Sequence, residues 1–178
     1  EELEKAKKML ERDGYKVVFS KNIFSNANEY SATAKEKADD INEMFANKDI
    51  DMIWCAKGGE NSNSVFDYLD FEIIKNNPKI IAGFSDITSI INVIANKTGL
   101  ATFSATNFKT VATDETDYSY KQAIARFSGE NATFDVAKKD CYKTIKEGTA
   151  EGELIGGNLT LTTGLVAGKY KINFKIKI

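Results

Sequence analysis

KIIAGFSDITSIINVIA, residues 79–95, is the stretch whose reading decides the fold. Ile80, Ile81 and Ala82 make a short apolar run, and Gly83-Phe84-Ser85-Asp86 breaks it sharply. Ile87, Ile90, Ile91 and Ile94 then recur at the i, i+3, i+4, i+7 spacing of one helix face. A strand that turns abruptly into a helix places Ser85 on the turn, with its hydroxyl at the carboxyl edge of a sheet. That is the geometry of a nucleophile elbow. The N-terminal N–H groups of the helix would lie beside it, where they stabilise developing negative charge. Locally the signal is unspecific. The full elbow motif has a further glycine where Ile87 stands, and a serine before a helix also serves as an N-cap. Both readings of Ser85 stay open on this stretch alone.

The neighbouring segments supply an α/β frame. Residues 50–56 read as a strand apolar on both faces, as parallel strands covered by helices are. Lys57-Gly58-Gly59-Glu60-Asn61-Ser62-Asn63-Ser64 follows, running into a helical VFDYL. Such a Gly-rich loop offers backbone N–H groups to an anion, or is a plain tight turn. Upstream, residues 1–13 place Leu3, Ala6, Met9 and Leu10 on one helix face that Gly14 ends. Residues 15–19 read as a strand, 20–31 as a polar loop, and 32–47 as a helix with Ala34, Ala38, Ile41, Met44 and Phe45 inward. Pro78 follows the connection FEIIKNN and marks the start of the elbow strand. Downstream, 97–99 cap the elbow helix, 100–103 form a strand, 106–117 a polar connector and 118–127 a short helix. Residues 134–144 alternate as β structure does. Residues 148–169 are Gly-rich, with apolar Leu159, Leu161, Leu165 and Val166, and YKINFKIKI (170–178) alternates like a half-exposed strand.

The expected fold is therefore α/β: a Rossmann- or flavodoxin-like parallel sheet over residues 1–128. The beginning of a second, β-rich C-terminal domain is expected over 145–178, with the boundary near 128–145. The helical start implies a strand lost before it or a late beginning, and the end leaves the second domain unfinished.

Composition removes several function classes. The net charge is −2, and no basic patch with interleaved aromatics indicates nucleic acid. No apolar run reaches membrane-spanning length and no signal peptide precedes the first helix, which fits a cytoplasmic protein. Cys55 and Cys141 are too few and too separated for a metal cluster, and Cys55 reads as a buried, reduced thiol. No G-x-G-x-x-G or Gly-Lys-Ser/Thr loop follows a strand, so no nucleotide or other cofactor is expected, and no metal. The sequence holds no histidine at all, so a Ser-His-acid triad is not completed within it.

Taken together, four segments resemble the serine LD-carboxypeptidase family, which includes murein tetrapeptide and microcin-immunity carboxypeptidases. They are DMIWCAKGGENSNSVFDYLDFEII from Asp51, NPKIIAGFSDITSIINVI from Asn77, TGLATFSATNFKT from Thr98 and ELIGGNLTLTTGLVAGKY from Glu153. The resemblance implies a peptidase that removes a C-terminal residue across an L,D amide bond, such as D-alanine from a murein tetrapeptide or a microcin-like conjugate. It implies Ser85 as nucleophile and the backbone N–H groups of Gly59 and Asp86 as oxyanion hole. Gly58, Asn61, Ser62 and Asn63 would bind substrate, and a homodimer is implied. The spelling Gly-Glu-Asn-Ser is closer to the microcin-immunity subgroup. The family's base is a histidine oriented by a glutamate, both beyond the Gly-Gly-Asn-Leu stretch, and Ser104-Ala105-Thr106 stands where many members have His-Gly-Pro. Lacking that base, the chain as it stands is expected to be inactive. A non-catalytic α/β module that binds a small ligand or peptide is the alternative.

Overall fold

A computed structural model describes residues 1–27, 29, 31–114, 116–129, 143–175, 177 and 178. The elbow strand, β2 (Ile80–Gly83), is the centre of a three-stranded parallel sheet, flanked by β1 (Met52–Trp54) and β3 (Phe103–Ser104). Met52, Ile53 and Trp54 stand beside Ile80, Ile81 and Ala82, and Ala82 and Gly83 beside Phe103 and Ser104. Parallel neighbours need helical crossovers. The short helix α3 (Phe71–Asn76) leads into β2, and α4 (Ile87–Thr98) runs from β2 towards β3. Gly99 ends α4 at φ 75°, a left-handed cap that costs a glycine little.

Two apolar clusters hold these elements. The larger joins Ala38 and Phe45 of α2 (Ala34–Ala46) to Ile53, Ile74, Ile81 and the isoleucines of α4. The start of α2 is fixed by a capping box: Thr33 accepts from the Glu36 amide while the Glu36 carboxylate accepts from the Thr33 amide at 2.7 Å. The smaller cluster joins Ala6 and Leu10 of α1 (Glu2–Arg12) to Phe108 and Val111 of α5 (Phe108–Val111) and to Tyr120 of α6 (Tyr118–Phe127). The Tyr120 hydroxyl donates to Asp13 at 2.7 Å, tying α6 to the end of α1 and holding that carboxyl below its usual range. Gly14, at φ 94°, closes α1 as expected, its amide donating to the Glu11 carbonyl and the Tyr15 amide to that of Leu10.

Several sequence readings are corrected. Residues 15–19 form no strand; Val17 and Phe19 pack against the smaller cluster, but no hydrogen-bonded neighbour flanks them among the described residues. VFDY of the expected helical VFDYL belongs to a 3-10 helix (Ser62–Tyr68) that Leu69 ends, and the connection before Pro78 is helical, capped by Asp70 accepting from the Ile73 amide. The strand expected over 50–56 shortens to β1, and that expected over 100–103 is met only at Phe103, where β3 begins. The polar connector contains α5. Residues 170–175 keep the alternation, with Ile172 buried and its neighbours exposed, whereas Ile178 is exposed. Among the described residues the ladder of 170–178 reduces to one parallel bridge between Glu153 and Lys177. The β structure expected over 134–144 falls, except for 143 and 144, outside the described residues, as do Cys141 and most of the expected boundary at 128–145.

The largest correction concerns α4. Its isoleucine spacing predicts one buried face, yet every residue from Ile87 to Ile94 is buried. The second face is covered by residues 156–158, which lead into α7 (Leu159–Thr163). The Asn92 side chain donates to the Gly156 carbonyl at 2.9 Å, and the Asn158 amide donates to the Thr88 hydroxyl at 3.1 Å. Leu165 and Ile172 lie in the same cluster as the elbow helix. Gly83 shows how tight the centre is. A Cβ there would lie 2.7 Å from Ile87 Cγ2 and 3.1 Å from both Asn107 Oδ1 and Cys55 Cβ. Gly83→Ala is therefore expected to lower the unfolding free energy by about 1–3 kcal/mol, read by urea denaturation. A change under a few tenths would contradict this packing.

Candidate active site at the strand-to-helix turn

Ser85 is one of the few non-glycine residues with positive φ, at 63°. That conformation costs an L-residue about 1–2 kcal/mol, so the surrounding structure must impose it. Two fixtures do so. Before the turn, the side chain of Asn107, only 4% exposed, grips the backbone of Phe84. Its Oδ1 accepts from the Phe84 amide at 3.0 Å, and its Nδ2 donates to the Phe84 carbonyl at 3.5 Å. After the turn, the Ser85 carbonyl accepts from the Thr88 amide at 3.0 Å and so begins the helix. The N-cap position itself belongs to Asp86. The Ser85 hydroxyl makes no hydrogen bond to any described residue, which sets aside the capping reading. It is half-buried at the sheet's carboxyl edge.

The Gly-rich loop after β1 closes on this turn. An added Cβ at Gly58 would lie 3.0 Å from Ser85 Cβ, 3.3 Å from Ser85 Oγ and 3.5 Å from the Asp86 amide nitrogen. One at Gly59 would lie 3.3 Å from Asp86 Oδ2. Only residues without side chains let the loop backbone approach the serine so closely. The latch is Asp86, 1% exposed. Its Oδ2 accepts from the Ser62 amide at 2.9 Å and from the Ser62 hydroxyl at 2.6 Å. Its Oδ1 is buried with no partner among the described residues. The backbone amides of Gly59 and Asp86 also donate to no described residue.

The predicted site residues are thus divided. Ser85, Gly58, Gly59 and Asp86 come together. Ser62 joins them, but its hydroxyl proton is committed to Asp86. Asn61 turns towards α2, where its Oδ1 accepts from Lys37 Nζ at 3.2 Å. Asn63 is exposed on the first turn of the 3-10 helix and engages no described residue. Asn107 and Lys37 were missed. Asn107 lies inside the third resembling segment, but nothing local marks it as the clamp of a turn 23 residues earlier. Cys55 packs against the main core, and burial pushes its thiol up to about 12, so it is no nucleophile at neutral pH. Among the described residues no group of three or more metal-ligating side chains gathers, and no helix is long and apolar enough to cross a membrane.

Comparison with known proteins places this geometry. Residues 1–105 match the LD-carboxypeptidase N-terminal domain. The chain is 35% identical over 175 residues to the putative carboxypeptidase YocD of Bacillus subtilis, an alignment covering 86% of this chain and 54% of that protein. It is 33% identical over 183 residues to the microcin C7 self-immunity protein MccF of Escherichia coli, covering 88% and 53% respectively. The crystal structure of an MccF-like protein from Bacillus anthracis superposes with a TM-score of 0.87 at 28% identity, over 99% of this chain and 60% of that one. The chain spans just over half the length of the curated relatives it matches.

Proposed function

The chain belongs to the LD-carboxypeptidase family, and from that premise we propose that it carries the nucleophile of a serine peptidase acting on C-terminal L,D amide bonds. Ser85 Oγ attacks the scissile carbonyl carbon as its proton passes to a base. The resulting oxyanion accepts hydrogen bonds from the Gly59 and Asp86 amides. Collapse of the intermediate expels the terminal residue as a free amine, leaving an acyl-serine that water hydrolyses. The observation that carries this reading is Ser85 held at φ 63° with Gly58 packed against it. Strain of this kind collects at functional sites.

The substrate we propose is a murein tetrapeptide losing D-alanine, or a microcin-like peptide conjugate. Residues 1–128 then form the nucleophile domain, and 145–178 open a second domain. No histidine is present, so these residues do not themselves supply the imidazole that the family resemblance implies. A serine hydroxyl without a base is a poor nucleophile at neutral pH, and we infer that the 178 residues alone turn over little or no peptide. The same absence favours the second reading, a module that binds peptide without cleaving it.

The test is a fluorophosphonate probe applied to the protein as its own cell produces it, followed by peptide mapping. Modification at Ser85, blocked by prior incubation with an L,D-peptide, is the expected result. An unlabelled Ser85 in a preparation that binds the peptide would transfer support to the binding module.

A further inference from the structure

We propose that Lys37 and Asn61 together form a carboxylate site that receives the free C-terminal carboxylate of the peptide. The inference rests on the peptidase reading above and deepens it. Lys37 lies on α2, half-buried, and the only bond of its ammonium among the described residues is to Asn61 Oδ1 at 3.2 Å. An ammonium has three donors and no acceptor, so the bond fixes which end of the amide faces Lys37. It leaves two donors on Nζ and both donors of Asn61 Nδ2 unengaged by any described residue. Four N–H groups, two of them on the cationic ammonium, are therefore carried by this one pair. No Asp or Glu among the described residues pairs with Lys37. Glu60 and Lys57, on the same loop, are exposed and form no ion pair among the described residues.

The pair is also wired to the nucleophile. Asn61 adjoins Ser62, whose amide and hydroxyl are held by Asp86, and Asp86 adjoins Ser85. Asn61 is thus carried on the same loop whose Gly58 packs against Ser85. A second chemistry, an internal acidic side chain, would present the same group. Comparing a terminal acid with its amide separates the two.

The experiment uses the native gene product in a Ser85→Ala background, so that peptide is not consumed. N-acetyl-L-lysyl-D-alanine and its C-terminal amide are titrated calorimetrically. The unsubstituted pair should favour the acid by about tenfold, the lower end for a charge-assisted bond. Lys37→Met should remove that preference, Lys37→Arg should keep most of it, and Asn61→Asp, which offers Lys37 an internal carboxylate, should also abolish it. An undiminished acid preference in a folded Lys37→Met protein overturns this site and leaves the peptidase reading standing. Failure of the unsubstituted pair to bind either peptide overturns both.

Discussion

Ser85→Ala is expected to lower kcat for release of the C-terminal residue by on the order of 10⁴- to 10⁶-fold, with peptide binding retained. The loss follows from the turn. Alanine keeps the backbone and the two amide donors but removes the only atom placed to attack. Measured on the native gene product with an L,D-peptide, release at the unsubstituted rate would end the nucleophile proposal. A companion variant separates chemistry from packing. Ser85 holds φ at 63°, which glycine adopts freely. Ser85→Gly should be as inactive as Ser85→Ala yet unfold at equal or higher denaturant, gaining up to about 1 kcal/mol. An inactive variant at least as stable as its parent identifies strain kept for function. If both variants lost stability instead, Ser85 would be a structural residue.

Gly58→Ala should reduce kcat about 10²-fold while KM and stability change little. The new methyl would stand 3.0 Å from Ser85 Cβ and 3.3 Å from Oγ, closer than ordinary van der Waals contact, and 3.5 Å from the Asp86 amide. Either the serine is displaced or the loop backs away and takes the Gly59 donor with it. A misplacement of about 1 Å at a reacting group costs about that factor. Gly58 lies on a surface loop outside the apolar clusters, so the fold has little to lose, in contrast to Gly83 at the sheet centre. Wild-type kcat in Gly58→Ala would mean that the loop is not part of the site.

The α/β class and the order of the elbow strand and helix were legible because both periods fall in one uninterrupted stretch. A short apolar run bounded by turn signals reads as a buried strand, and isoleucines at helical spacing mark a helix face. The α6 helix was legible for the same reason. Strands at 15–19 and 170–178 were over-read. Val17, Phe19 and Ile172 do turn inward, but a strand also needs a backbone partner that no local pattern supplies. The buried polar residues of α4, Thr88 and Asn92, look in sequence like the solvent side of an amphipathic helix. They are buried because a loop more than 60 residues later brings backbone groups that match their donors and acceptors.

The site divides in the same way. By itself the sequence determined that a serine stands at a strand-to-helix turn, that a Gly-Gly loop follows the preceding strand, and that no histidine is available. Each is a local or compositional property. Only the tertiary structure decided that the loop and the turn meet, that Asp86 spends its carboxylate latching Ser62, and that Asn107 clamps Phe84. It also decided that Lys37 donates to Asn61. Those facts depend on which distant backbone and side-chain groups satisfy one another once β1 and β2 pair in register, and hydrogen bonds between residues far apart in sequence leave no periodic trace in the chain.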